Sequence, residues 1–210
     1  MKRLQVFVGD TRSKVNIAML RRLRWGRIHV DPPRLFPREV WAFDNRAYRY
    51  WVRGQPFDEE RYKRTLDVVY KLRKPAIAVT PDKVAEGRTS LDFSCRWLEE
   101  LRDDWPWYLA VQDGMTRRDV EGVIRAGWAG LFLGGTNRFK QQTAWQWCEL
   151  AHEHGLRFHY GRAGTLRKVR HAKRIGADSI DSSFPLWERR RWAAFIAEVL
   201  DDSQASLKLR

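Results

Sequence analysis

Residues 157–181 read RFHYGRAGTLRKVRHAKRIGADSID. A short apolar run at 157–160 gives way to a glycine-bearing loop, and an amphipathic stretch follows at 166–175. Gly176 stands where that helix should stop, and a second short run occupies 179–181. Strand, crossover helix and strand is the repeating unit of a parallel α/β sheet. The same alternation extends outward in both directions. Further candidate strands lie at 4–9, 27–30, 40–43, 76–80, 108–111 and 131–133. Helical patterns occupy 59–72, 91–103, 117–126, 143–154 and 186–200. Thr116, with Asp119 and Val120 behind it, opens one of them, and Gly127 and Gly155 mark stops. The prolines of 31–38 and the segment 51–57 read as loops. Eight strands with no obvious edge predict a closed (β/α)₈ barrel of the TIM type, one minimal domain over 1–210 without internal repeats.

The chain has 210 residues, 43% of them hydrophobic, which suffices for a sizeable core and excludes a disordered polyelectrolyte. Lys and Arg number 40 against 26 Asp and Glu, a net charge of +14. Such an excess points to a polyanionic partner and disfavours a small-molecule enzyme. Two cysteines, Cys95 and Cys148, exclude a disulfide framework and a four-ligand zinc set. Cys148, His152 and His154 read as a solvated helix face, so neither metal nor cofactor is expected. The apolar run before Asp10 is too short for a signal peptide, and no stretch reaches membrane length. The expectation is a soluble, cytoplasmic protein.

In a barrel the reacting groups project from the C-terminal strand ends. Those ends carry Gly9-Asp10, Asp44-Asn45, Asp82, Gln112-Asp113-Gly114, Gly134-Gly135, Tyr160-Gly161-Arg162 and Asp181. Alternation selects among them. Ile180 suits the layer beneath the helices, leaving Asp181 at the mouth and Asp178 structural. Trp41 and Phe43 likewise face the helices, leaving Ala42 and Asp44 on the axis. Two carboxylates suit displacement at a sugar carbon, one as nucleophile and one handling protons. The loop Gly161-Arg162-Ala163-Gly164-Thr165 is open to two readings, a phosphate cradle or an ordinary turn capped by Thr165. His159 either lines the mouth or packs.

The ordered series Phe43-Asp44-Asn45-Arg46-Ala47-Tyr48, Pro81-Asp82, Val111-Gln112-Asp113-Gly114, Leu133-Gly134-Gly135, Tyr160-Gly161-Arg162-Ala163-Gly164 and Gly176 to Pro185 resembles the tRNA-guanine transglycosylase superfamily. The likeness covers about 40–187. It implies that Asp181 attacks C1′ of the target nucleoside and that Asp44 is the general acid/base. It also implies that Asp82 accepts from the guanine N1–H and 2-amino group, and that a backbone N–H near Gly135 donates to O6. Gln112 or Asp113 would help to read the base, and Tyr48 and Tyr160 would sandwich it.

Three features depart from the pattern. The Cys/Cys/Cys/His zinc subdomain of the tRNA enzymes has no counterpart, because the sequence ends within 30 residues of Asp181. The family's Gln-Gly pair is interrupted by Asp113. Arg46 replaces a small residue beside the acid/base and is a phosphate candidate. The missing zinc element makes the chain more similar to the compact deazapurine DNA-modification proteins of phages and bacteria. That resemblance implies exchange of guanine for a 7-deazaguanine such as preQ0, in DNA in preference to tRNA. A homodimer or a partner protein is compatible with this. The rival readings are a tRNA transglycosylase, a base-releasing glycosylase and a catalytically silent nucleic-acid-binding subunit. Arg162, Arg167 and the run Arg189-Arg190-Arg191 are candidates for the backbone footprint, and Trp51 and Trp187 for stacking on bases.

Overall fold

The computed structural model describes residues 3–201. The parts of the 1–210 reading at 1–2 and 202–210, including the basic tip Met1-Lys2, lie outside the described residues. In chain order the elements are β1 (Gln5–Gly9), α1 (Lys14–Leu23), β2 (Gly26–His29), β3 (Trp41–Phe43), α2 (Ala47–Val52), α3 (Glu59–Val69) and β4 (Ile77–Val79). Then follow α4 (Gly87–Glu100), β5 (Trp107–Val111), α5 (Arg117–Glu121), β6 (Gly130–Leu133), α6 (Asn137–Glu153) and β7 (Arg157–Tyr160). The last are α7 (Leu166–Ile175), β8 (Ser179–Ser182), α8 (Phe184–Trp187) and α9 (Arg189–Leu200). Each strand pairs in parallel with the next, and β1 pairs with β8, closing an eight-stranded (β/α)₈ barrel.

Strand alternation builds two apolar layers. Phe7, Ala42, Ile77, Val79, Tyr108, Ala110 and Phe132 point inward and fill the barrel. Trp41, Phe43, Leu109, Leu131, Tyr160 and Ile180 point outward into a larger core beneath the helices. Eight of the tryptophans are buried, while Trp51, Trp145 and Trp187 are exposed. Among the described residues no helix is long and apolar enough to cross a membrane.

Every expected strand is present, within a residue or two of its expected ends. The helices differ more. Helix α1 is absent from the sequence reading; it buries Leu20 fully and packs Met19 and Leu23 partly against the core. Ser13 nevertheless caps it, accepting from the Asn16 N–H. The stretch expected as one helix at 186–200 breaks at Glu188 into α8 and α9. Helix α5 has the Thr116/Asp119 capping box but stops at Glu121, well before Gly127. Gly176 ends α7 in the left-handed conformation, at φ 85°.

No helix connects β2 to β3. Pro32, Pro33 and Pro37 deny the intervening residues helical hydrogen bonding, and a buried ion network takes the helix's place. Arg27 points outward from β2 and donates from Nε and Nη2 to both Glu39 oxygens, at 2.5 and 2.9 Å. Its Nη1 reaches Asp10 at 3.1 Å and the Thr11 carbonyl at 2.9 Å, and Nη2 also reaches the Arg34 carbonyl. The Arg27 guanidinium thus ties the strap at 30–40 to the barrel, and Arg73 adds bonds to the Phe36 and Glu39 carbonyls.

Candidate active site

Asp181 stands one residue before the end of β8, on the inward face, and is mostly buried, its side chain 14% exposed. Its Oδ1 accepts from His159 Nε2 at 3.0 Å and from the Arg162 backbone N–H at 2.8 Å. Its carbonyl accepts from the Ala163 N–H at 2.7 Å. His159 is fully buried below it, on the inward face of β7. The imidazole stacks on Phe132, 4.7 Å between centroids, and its Nδ1 pairs with Ser179 Oγ at 2.8 Å. An ionised carboxylate only accepts, so Nε2 carries the hydrogen of the His159–Asp181 bond. Burial by itself would raise the Asp181 carboxyl. The bond and charge of His159, the Arg162 N–H and the Lys140 charge outweigh it and hold the group below the ordinary carboxylate range.

Asp44 follows β3, with its own N–H donating to the His29 carbonyl. Its Oδ1 accepts a single, longer bond of 3.3 Å from the Arg46 N–H. Burial and the charge of Asp181 push its carboxyl up to about 6. Two nearby carboxylates are therefore driven in opposite directions, one toward the ionised form and one toward the protonated form.

Asp82 lies beside them, after β4, and is buried. Asn45 Nδ2 donates to its Oδ1 at 2.5 Å, and Gln112 Nε2 donates to its Oδ2. Burial pushes this carboxyl up to about 7, with the Asp44 charge adding to the effect and the two amides opposing it. Gly134 leaves room for the Gln112 amide, which lies 2.5 Å from where a Cβ would stand. Among the described residues the Gly135 N–H donates to no protein acceptor, and the Gly135 carbonyl accepts from Arg162 Nη2. The Arg162 guanidinium also covers the Tyr48 ring at 3.8 Å, spanning the mouth from β7 to α2.

Asp44, Asp181, Asp82, Tyr48, Gln112, Gly134, Gly135, Gly161 and Arg162 thus gather around one mouth. Other candidates are placed differently. Tyr160 is no base sandwich: its parity on β7 is opposite to that of His159, and the ring is fully buried in the helix layer against His171. Asp113 does not reach toward the axis, because Thr136 holds both its oxygens, from N–H at 2.7 Å and Oγ1 at 2.6 Å. The loop 161–165 is no phosphate cradle. The N–H groups of Arg162 and Ala163 grip Asp181, the Gly164 N–H bonds the Arg162 carbonyl at 2.8 Å, and Thr165 caps α7. Arg46 is largely buried and ion-paired with Asp31, not turned to solvent. Arg190 pairs with Glu188 at 2.5 Å, while Arg167 and Arg189 are exposed. Asp178 is structural, accepting from the Phe158 N–H at 2.8 Å and pairing with His152 at 3.0 Å. Cys148 is buried with its thiol on the Ile175 carbonyl.

Three residues of the site were missed or left open by sequence reasoning. His159 was legible, since it shares its inward parity with Gly161. Asn45 joins β3 to β4 by donating to the Thr80 carbonyl and Asp82 while its Oδ1 accepts from the Ala47 N–H at 2.8 Å. Lys140 is fully buried on α6 and donates to the Gly161 carbonyl at 2.5 Å; burial pushes its ammonium well below the usual lysine range. A lysine in an amphipathic helix gives no sequence signal of burial.

Fold and site together define a (β/α)₈ barrel with three coupled acidic side chains at its C-terminal mouth. No family model matches this chain, and no curated protein does. Among solved structures it is similar to a chain of the Amycolatopsis orientalis BexX/CysO complex, with 16% identity and a TM-score of 0.55. That likeness covers 94% of this chain and 90% of the other, and at such identity it shows the fold alone.

Proposed function

We propose that this protein is a nucleic-acid guanine transglycosylase that exchanges guanine for a 7-deazaguanine base, with DNA the preferred substrate. The observation that carries the reading is the opposed ionisation of Asp181 and Asp44 at one mouth. Asp181 Oδ1 is held by His159 and Arg162, which leaves Oδ2 to attack C1′. As the Oδ2–C1′ bond forms, the N9–C1′ bond breaks and the departing guanine takes the Asp44 proton. The incoming base then attacks C1′ through N9, its N9 proton passes to Asp44, and Asp181 leaves as the carboxylate. Two inversions retain the sugar configuration. Asp82 and Gln112 supply acceptor and amide to the purine edge, and the Gly135 N–H supplies a donor for O6. The charge of +14 favours the polyanion, and such a substrate places the work in the cytoplasm.

The test is incorporation of labelled guanine or preQ0 into duplex DNA, single-stranded DNA or bulk tRNA, with Asp181→Asn as control. Label in DNA alone, lost in the control, supports the reading. Label only in tRNA keeps the chemistry and overturns the substrate. Absence of label from all three pools removes the transglycosylase reading.

A further inference from the structure

Helix α2 and the loop after it carry features the proposed chemistry does not use. Beside Asp82 a cavity of about 130 Å³ is walled by Tyr50, Trp51, Pro56, Phe57 and Val84, with Lys83 and its ion-pair partner Glu86 at the edge. Tyr50 packs edge-on against Phe57 at 5.8 Å, which fixes the inner wall. Trp51 is 45% exposed and lies 5.6 Å from the Tyr48 ring, the same ring that Arg162 covers. The aromatic surface therefore runs without a break from the mouth to the cavity. Arg49 on α2 and Arg53 just after it are exposed, and neither has a carboxylate within ion-pair distance among the described residues. Aromatic faces interleaved with unpaired cations form the stacking platform of single-stranded nucleic-acid binding.

We infer that this cavity is a subsite for a nucleobase flanking the target in single-stranded nucleic acid, with Trp51 as its stacking face and Arg49 and Arg53 tracking the backbone. The inference rests on the proposed nucleic-acid substrate. The target base itself is a poor occupant, because the cavity is bounded by Asp82 but by neither Asp44 nor Asp181. A base lodged there keeps its own sugar away from the nucleophile. A neighbouring nucleotide has the opposite need: its base must be held while its phosphate lies in positive potential. Gripping that neighbour also offsets part of the cost of drawing the target out of its stack.

The test is equilibrium binding of a labelled single-stranded oligonucleotide with one guanine, with no incoming base present. Abasic sites are placed one residue to either side of the guanine. Trp51→Ala is expected to weaken binding about tenfold or more, Trp51→Phe much less, and Trp145→Ala, an exposed tryptophan on α6, not at all. One of the two abasic probes should cost the wild type a similar factor and cost Trp51→Ala nothing further. Equal loss in Trp51→Ala and Trp145→Ala overturns the subsite, as does an abasic penalty that is the same in wild type and Trp51→Ala. Competition by free guanine that depends on Trp51 also overturns it, because the cavity would then take the free base. Oligonucleotide binding that depends on Trp51, without any base exchange, leaves the subsite standing and removes the transglycosylase reading. Exchange that is indifferent to Trp51 removes only the subsite.

Discussion

His159 Nε2 lies 3.0 Å from Asp181 Oδ1, on a ring that is itself fixed by Ser179 and by stacking on Phe132. The acidic group at the mouth is thus held from inside the barrel by His159 as well as from the β7–α7 loop by the Arg162 N–H. Replacing His159 with Ala removes a lowering influence on a buried carboxyl and is expected to raise the Asp181 pKa. The acid limb of the proposed covalent-adduct formation, followed against pH, should move up correspondingly. His159→Gln can still donate from Nε2 and should recover most of the lost rate. An acid limb that stays put in His159→Ala would show that the imidazole only fills space.

Asp44 is raised from 3.8 to about 6, so between those values the folded state holds a proton that the unfolded chain has released. Stability therefore falls as pH rises through that window and stays lower above it. Asp44→Asn removes the penalty and the repulsion with Asp181, and should stabilise the protein by about 1–2 kcal/mol at pH 8. The gain should shrink below about pH 6. In the wild type, the first displacement of the proposed exchange should decline as pH rises through about 6, because that proposed step consumes the Asp44 proton. Thermal melts and adduct yields over pH 4–8 check both halves, and a melting gain independent of pH would contradict the first.

Glu39 behaves in the opposite sense. Burial raises its carboxyl, but the Arg27 bonds and the Phe36 N–H bring it from 4.5 down to about 2. The associated stability is complete above about pH 4.5 and is lost as pH falls toward 2, a change of about 2–3 kcal/mol. Glu39→Gln leaves Arg27 buried without a counter-charge and should cost about 3–5 kcal/mol near neutrality. Denaturant titrations at pH 7 and pH 3 should show the difference from wild type narrowing on the acid side.

Gly161 has no space for a side chain: a Cβ there would stand 2.7 Å from the Leu133 carbonyl and 2.8 Å from the Phe132 ring. Gly161→Ala should cost about 1–3 kcal/mol through overpacking. Because the next N–H grips Asp181, adduct formation should fall further than the stability loss explains. Activity measured well below the variant's melting temperature separates the two effects.

Strand positions were legible because each strand sits between two apolar layers and carries a dense apolar run. Asp44 and Asp181 followed from the parity of Ala42 and Ile180 alone. Tyr160 was misplaced because motif position was preferred to parity, although Phe158 and Tyr160 share the outward face. The loop 161–165 looked like an anion site because its N–H groups suit a negative charge, and they do bind one, the carboxylate of Asp181. Helix α1, the ion-tied strap at 30–40 and the burial of Lys140 were not legible. Each depends on partners distant in sequence, as in the Arg27–Glu39 bond or the Lys140 contact with Gly161.

Phe7, Tyr108 and Phe132 pack the barrel interior around and below His159, so Asp181 is approached from the rim that Arg162 and Tyr48 span. A packed floor beneath the acids suits a cycle whose proton inventory balances without help from below. In the proposed exchange, guanine leaves carrying the proton that Asp44 gave, and the incoming base brings its replacement. Because one base leaves and another enters while the sugar stays on Asp181, the rim cannot stay sealed through that exchange, and keeping water off the ester falls to whichever base fills the site.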